Sequence, residues 1–173
     1  MRIILFRHGP AETRDDRRWP DDLERPLTER GTSRTRRAAR GIARLEPATS
    51  LVLTSPASRA LKTAVLLHDV LRLDAEPEIV ESLAPGGSLR DTLVRLGKVG
   101  ADTRVAVVGH EPDLSQLAAA LLFSAEAGAL AFKKAGACAI DCDLPKRGHG
   151  RLRWWLTPGA LRALRPVRKG SVA

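Results

Sequence analysis

Two arginines and two histidines stand where apolar segments of this sequence end. Arg7 and His8 follow the run IILF. Arg59 follows LVLT and a Ser-Pro pair, and His110 follows VAVVG directly. Guanidinium groups are permanently charged planar donors that match the oxygens of a phosphoryl group, and a neutral imidazole can attack phosphorus. We therefore expect these four side chains to form a phosphate pocket if the fold brings them together.

The chemistry of phosphoryl transfer suggests what each residue type would do. The reaction needs an in-line nucleophile and fixed positive charge around the equatorial oxygens. Two nearby guanidinium groups should lower the pKa of a histidine and keep it unprotonated before substrate binds. The second histidine, doubly protonated, can donate a hydrogen bond to the phosphoryl oxygens. Taken alone, the Arg-His-Gly tripeptide is better explained by a basic and a polar residue that cap a strand.

Arg7 and His8 are adjacent, and neighbouring side chains of an ideal strand point to opposite faces. The two can share a target only if the backbone turns sharply after the strand. Gly9 and Pro10 come next and permit such a turn. We expect this pair to break the strand so that both side chains face one phosphoryl group. The nearby segment RRWPDD forms either a wall of the pocket or a surface loop.

The segments that must position these residues alternate between strand and helix patterns. Continuous apolar runs are typical of strands covered on both faces, and apolar residues at helical spacing lie between them. This order predicts an α/β fold with a mostly parallel central sheet and helices on both faces, where ligands bind beyond the carboxyl ends of the strands. The predicted strands are 2–6, 50–54, 78–81, 104–109, 137–141 and 151–157, and the predicted helices are 28–45, 58–73, 88–99 and 113–123.

Length and composition are typical of one cytoplasmic domain. The chain has 173 residues, of which 43% are hydrophobic and 28% charged, as in globular proteins. No apolar run is long enough to cross a bilayer, and the first one is too short for a signal peptide. We expect a single domain over residues 1–165, a flexible tail over 166–173 and no membrane partner.

The net charge of +9 favours anionic partners, from phosphate esters to nucleic acids. The arginines are spread along the chain, and aromatic residues make up only 3%, which leaves little for stacking bases. We interpret the excess as a solvated basic surface rather than a nucleic-acid site. Cys138 and Cys142 are too far apart along an extended strand for a disulfide, and no metal-ligand spacing surrounds them. They should behave as small buried hydrophobes.

Five blocks of the sequence resemble the histidine phosphatase superfamily, also called the phosphoglycerate mutase-like family. Its Arg-His-Gly signature stands here at Arg7, His8 and Gly9. The closer resemblance is to the small phosphohistidine phosphatases of the SixA type. The blocks cover roughly the first two thirds of the chain in the family's order, and they imply a three-layer α/β/α sandwich without a metal or other cofactor. They are RHGPAE (7–12), RPLTERG (25–31), TSPASRALKTA (54–64), LAPGG (83–87) and VVGHEPDLSQL (107–117).

The resemblance also implies a role for each residue. His8 is expected to be the nucleophile, while Arg7, Arg59 and His110 hold the phosphoryl group. Larger relatives carry an acidic residue that protonates the leaving oxygen. The nearest candidate here is Glu81, with Glu111 as a second option, and either can equally be a solvated or helix-capping acid.

The expected substrate is phosphohistidine on a phosphorylated protein. An alkoxide is a poor leaving group that needs a general acid, whereas imidazole leaves more readily near neutral pH. The short chain leaves few residues for a lid, so a side chain presented by another protein should reach the pocket. Two alternatives stay open, which are hydrolysis of a small phosphate ester such as a sugar phosphate or nucleotide, and a noncatalytic phosphate-binding module.

Overall fold

A computed structural model describes residues 1–123 and 130–165. In these residues six strands form one sheet, namely β1 (Arg2–Arg7), β2 (Leu51–Thr54), β3 (Glu78–Ile79), β4 (Arg104–Gly109), β5 (Ala137–Cys142) and β6 (Gly150–Leu156). The strand order is β3-β2-β4-β1-β5-β6. The first four strands in this order pair in parallel, and β5 and β6 are antiparallel additions at one edge. The predicted mostly parallel sheet is confirmed.

Five α-helices are described, namely α1 (Glu29–Leu45), α2 (Ser58–Leu71), α3 (Leu89–Gly97), α4 (Asp113–Leu122) and α5 (Pro158–Ala163). The Thr28 side chain caps α1 by accepting a hydrogen bond from the Gly31 N–H. Helix α5 was not predicted, although Thr157 as cap and Pro158 in the first turn are a helix-start signal. Short 3-10 helices occupy Asp22–Glu24 and Glu81–Leu83.

The sheet separates two hydrophobic cores because alternate residues of each strand point to opposite faces. Ile3 and Leu5 face a core completed by α3 and α4, whereas Ile4 and Phe6 face one completed by α1, α2 and α5. This is the expected three-layer sandwich. Cys138 and Cys142 are free thiols buried in the first core, as predicted.

The centre of the sheet positions the functional residues. β1 lies beside β4, with Arg7 paired to Gly109, and β2 lies on the other side of β4. The carboxyl ends of these three strands therefore meet at one edge. Within the described ranges, no helix combines the length and the apolar character needed to span a membrane. The predicted tail, 166–173, lies outside the described residues, and the domain boundary at 165 stays a prediction.

Candidate active site

The four residues expected at the strand ends lie together. Arg7 ends β1 and His8 comes directly after it, Arg59 lies in the first turn of α2, and His110 comes directly after β4. The ring centroids of His8 and His110 are 5.0 Å apart. The charges of both arginines contribute to lowering the pKa of both histidines, so all four groups are close in space. The side chains form one largely buried cluster.

Hydrogen bonding fixes which nitrogen of His8 is free. Nδ1 lies 2.7 Å from the carbonyl oxygen of Gly9. Because a carbonyl oxygen only accepts, Nδ1 carries the proton, and the neutral ring keeps its lone pair on Nε2. Burial lowers the pKa of His8 to about 3, and the charges of His110 and both arginines act in the same direction. The predicted effect of the guanidinium groups is present, but burial is the larger cause.

The ring of His110 is held by Ser55. Its Nε2 lies 2.8 Å from the Ser55 Oγ, which also accepts a hydrogen bond from the Ala57 N–H. Burial first, then the charge of Arg59, lowers the pKa of His110 to about 4. With this pKa the ring is neutral near pH 7, and double protonation of His110 stays a prediction for the site with a phosphoryl group bound. Either the ring nitrogen or the Ser55 hydroxyl can be the donor in this contact. When the hydroxyl donates to Nε2, the single proton of the ring lies on Nδ1 and can be donated to a phosphoryl oxygen.

Each arginine is held on one side and keeps an unused donor. Arg7 Nη1 donates to the carbonyl of Phe132, and Arg59 Nη1 donates to the Asp22 carbonyl at 2.6 Å. The Nε atoms of both arginines are buried without a hydrogen-bond partner in the described part of the chain. Burial also lowers the pKa of both guanidinium groups, although arginine stays charged near neutral pH. An oxyanion would supply the missing acceptor.

The segment RRWPDD forms part of the pocket wall through its last residue. The Asp22 carboxylate lies 2.9 Å from Arg59 Nη2 and accepts a hydrogen bond from Arg25 Nε at 2.8 Å. The bond with Arg25 is the main cause that lowers the pKa of Asp22. Arg25 in turn donates to the carbonyl of Glu12. Of the two alternatives for this segment, the structure supports the wall at Asp22.

Gly9 is required by packing rather than by an unusual backbone angle. A Cβ at this position would lie 1.9 Å from Oγ1 of Thr35 on α1. Its N–H donates to Oγ1 of Thr63 on α2 at 3.1 Å. The described glycines with positive φ are Gly86 and Gly148, so Gly9 does not use the left-handed region. The strand ends where expected. The glycine is needed because only a residue without a side chain lets α1 and α2 pack this closely against the backbone beside His8.

The loop that precedes β5, residues 132–136, borders the site and was not predicted to do so. The Arg7 N–H donates to the Gly136 carbonyl, and the Ala135 N–H donates to the carbonyls of Arg7 and His8. Because β5 runs antiparallel to β1, the residues before β5 lie at the edge where β1 ends. A search confined to the residues after each parallel strand misses such a loop. No local pattern in the sequence predicts that β5 pairs antiparallel with β1, and this pairing is what places the loop at the site.

The two candidate acids differ in their surroundings. Both oxygens of Glu111 are engaged by the protein, one by the Phe132 N–H and the other by the Ser115 hydroxyl at 2.6 Å. Glu81 is exposed at the start of a 3-10 helix, while Ser82 and Leu83 of that helix line a small cleft with His110. The hydrogen bond between the Glu111 carboxylate and the Phe132 N–H thus attaches the 132–136 loop to the residue after His110, whereas Glu81 makes no such contact among the described hydrogen bonds.

Comparison with known proteins gives consistent matches. Residues 3–84 match the model of the histidine phosphatase superfamily (branch 1). An uncharacterised protein of Picosynechococcus sp. is 38% identical over 138 residues, which is 79% of this chain and 82% of the relative. The structure of the protein histidine phosphatase SixA complexed with tungstate has a TM-score of 0.80 and 26% identity, covering 93% of this chain and 99% of SixA. A phosphoserine phosphatase mutant from Entamoeba histolytica, in complex with phosphoserine, has a TM-score of 0.68 and 16% identity, covering 94% and 99%, and shares the fold.

Proposed function

This chain belongs to the histidine phosphatase superfamily and is a phosphatase, and from that premise we propose that it hydrolyses phosphohistidine on another protein. The proposal assigns the nucleophile to Nε2 of His8 and phosphoryl binding to Arg7, Arg59 and His110. The observation that carries the mechanism is the hydrogen bond from His8 Nδ1 to the Gly9 carbonyl, which leaves the lone pair on Nε2.

In the first step, Nε2 of His8 attacks phosphorus in line with the nitrogen of the substrate ring. A new N–P bond forms while the N–P bond of the substrate breaks, and the electron pair of that bond goes to the departing ring. A ring protonated at its other nitrogen then leaves as neutral imidazole. Arg7 and Arg59 stabilise the charge on the equatorial oxygens, and His110 donates its Nδ1–H to one of them.

In the second step, water attacks the phosphorus of phospho-His8. The N–P bond breaks, and its electron pair returns to Nε2. The proton released by the water stays with inorganic phosphate. His8 is then neutral again, with its remaining proton on Nδ1 and donated to the Gly9 carbonyl.

The surroundings of the two glutamates support a P–N rather than a P–O substrate. Glu111 accepts two hydrogen bonds from the protein, and Glu81 is exposed. Hydrolysis of a phosphate ester needs a general acid positioned to protonate the departing alkoxide, whereas imidazole, the leaving group of phosphohistidine, depends less on such an acid. SixA, at 26% identity, is a protein histidine phosphatase. The phosphoserine phosphatase shows that the same fold also hosts hydrolysis of a small ester, which is the competing outcome.

Substrate choice is tested by comparing kcat/KM for a phosphohistidine peptide with kcat/KM for phosphoserine, a sugar phosphate and a nucleotide. We expect kcat/KM to be about 100-fold or more higher for the peptide than for any ester. General acid catalysis typically accelerates a reaction by at least about this factor, and the esters would lack it here. A preference for any ester would overturn the substrate assignment. Tungstate binding without turnover of any compound would favour a noncatalytic phosphate-binding module.

The covalent step is tested with His8→Ala, which should abolish turnover, and with His149→Ala as the control. His149 is exposed in the turn before β6, so its removal should leave activity unchanged. Wild-type enzyme quenched in base during turnover should carry a phosphoryl group on His8, detected by mass spectrometry. Wild-type activity in His8→Ala would contradict the mechanism.

A further inference from the structure

We propose that Lys134 is a further substrate-binding residue, whose ammonium group binds the dianionic phosphoryl group together with Arg7 and Arg59. The inference rests on the proposed function in one respect, that the ligand is a phosphoryl dianion. Its support comes from the position of the loop that carries Lys134, from the arginine charges that act on this lysine, and from the charge balance of the site.

The backbone on both sides of Lys134 is fastened to the end of β1. Before it, the Phe132 carbonyl accepts a hydrogen bond from Arg7 Nη1. After it, the Ala135 N–H donates to the carbonyls of Arg7 and His8 at 3.2 and 3.0 Å. Ala135 has a φ of 60°, and the Gly136 N–H closes the turn by donating to the Lys133 carbonyl at 2.7 Å. Lys134 is thus presented beside His8 by a defined turn.

Arginines from three different segments act electrostatically on Lys134, whose own side chain is exposed. They are Arg7 at the end of β1, Arg25 before α1 and Arg59 at the start of α2. After burial, which is the largest cause, the charges of these three arginines lower the pKa of Lys134. These arginines belong to segments that converge on the pocket, and the turn that carries Lys134 is hydrogen-bonded to the end of one of them, β1. Lys134 is therefore near the expected phosphoryl ligands, although it is more than 120 residues from Arg7 along the chain.

The charge of the cluster indicates what Lys134 binds. Like charges in a partly buried site repel one another more strongly than in water, so four neighbouring cations need compensating anions. Four cations against two carboxylates leave a formal charge of +2, which a phosphoryl dianion would neutralise. Without Lys134 the cluster would carry only +1. The cations are Arg7, Arg25, Arg59 and Lys134, and the carboxylates are Asp22 and Glu111.

Tungstate affinity, measured by calorimetry, tests the assignment without any turnover. Tungstate is a tetrahedral oxyanion that the related SixA binds. Lys134→Ala should weaken tungstate binding about tenfold, the effect of losing one hydrogen bond to a charged group. Lys134→Arg should retain most of the affinity. Lys133→Ala is the matched control, because Lys133 and Lys134 are adjacent exposed lysines of the same loop and the charges of the three site arginines shift the pKa of Lys134. The tungstate affinity of Lys133→Ala should stay within about twofold of wild type.

The two proposals fail in different ways. Unchanged tungstate affinity in Lys134→Ala would overturn the assignment of Lys134, as would an equal loss in Lys133→Ala, which would reflect only the general surface charge. A different result would separate the two proposals. If Lys134→Ala weakens tungstate binding but the wild-type enzyme hydrolyses only esters, phosphohistidine is wrong as the substrate while the role of Lys134 in anion binding stands. With the phosphohistidine peptide, Lys134→Ala should raise KM by a factor similar to the loss of tungstate affinity.

Discussion

Glu111 and Arg7 hold the backbone of one loop residue from opposite sides. The Phe132 N–H donates to the carboxylate of Glu111, and the Phe132 carbonyl accepts a hydrogen bond from Arg7 Nη1. The ring of Phe132 is buried and stacks on Trp155 with 4.1 Å between ring centroids. Glu111 and Arg7 are thus linked through the backbone of Phe132, and the proposed phosphate-binding role of Arg7 depends on the position of this loop.

This geometry predicts that Glu111→Gln is tolerated and that Glu111→Ala is not. The glutamine oxygen can still accept from the Phe132 N–H, and its amide can donate to the Ser115 hydroxyl in place of the bond that Ser115 now makes. Glu111→Ala leaves the Phe132 N–H unpaired and should raise KM about tenfold, with a smaller change in kcat. Steady-state kinetics of both variants on one substrate measure the difference. If Glu111 were instead the general acid, glutamine would be as damaging as alanine, mainly in kcat.

The two buried histidines predict how stability depends on pH. Their pKa values, about 3 for His8 and about 4 for His110, lie below the value of about 6.5 in an unfolded chain. Below pH 6.5 the unfolded state therefore binds protons that the folded state does not, and the free energy of unfolding falls as the pH falls. Between pH 6.5 and 5 each histidine should contribute a slope approaching about 1.4 kcal/mol per pH unit.

Urea denaturation at several pH values in this window measures the slope. The double variant His8→Asn, His110→Asn should show a shallower dependence than wild type, because neither asparagine titrates. His149→Asn should retain the wild-type slope, since the side chain of His149 is exposed. An equal slope in wild type and the double variant would contradict the neutral, buried state of the two rings.

Ser55→Ala should disturb the protonation of His110 and leave that of His8 unchanged. The hydroxyl of Ser55 is the partner of His110 Nε2, whereas His8 is held by the carbonyl of Gly9. Nitrogen-15 NMR of the wild-type protein should show both rings protonated at Nδ1, and the variant should show a mixture for His110 alone. We expect kcat/KM to fall about tenfold through the loss of one oriented donor. A proton on Nε2 of His8 in the wild-type protein would contradict the assigned nucleophile.

Gly9→Ala should destabilise the protein by about 1–3 kcal/mol, because its Cβ would collide with Oγ1 of Thr35 at 1.9 Å. Thr35→Ala removes that atom, which is buried without a partner among the described residues. The double variant should therefore be more stable than the sum of the single effects predicts. Urea denaturation of the four proteins in this cycle gives the coupling, and strictly additive effects would mean that the contact with Thr35 is not the cause.

The sequence allowed us to predict that four residues of the candidate site lie together, because each of them stands at or soon after the end of a strand and the apolar pattern of a strand can be recognised locally. Arg7, Arg59 and His110 needed only the rule that parallel strands end at one edge. The position of Gly9 was also predictable, but its physical reason was not. The contact with Thr35 depends on how α1 packs against the sheet, and no local pattern in the sequence reports that distance.

Lys134, Asp22 and the restraint on Glu111 could not be predicted for a related reason. Lys134 precedes a strand instead of coming after one, and two adjacent lysines are typical of a solvated turn. Asp22 meets Arg59 across 37 residues of sequence through side-chain and backbone contacts. Ala135 has a positive φ without being glycine, so the turn that presents Lys134 carries no compositional signal.

The place of β1 in the strand order has a consequence for synthesis of the protein. β1 leaves the ribosome before the other strands of this sheet, yet both of its neighbours, β4 and β5, come much later in the sequence. The strand that ends beside His8 therefore has no pairing partner until residues 104–109 have been made, and its second partner, β5, follows later. Arg7 and His8 cannot join His110 in a pocket on a shorter nascent chain, so phosphatase activity arises only after translation has passed β4.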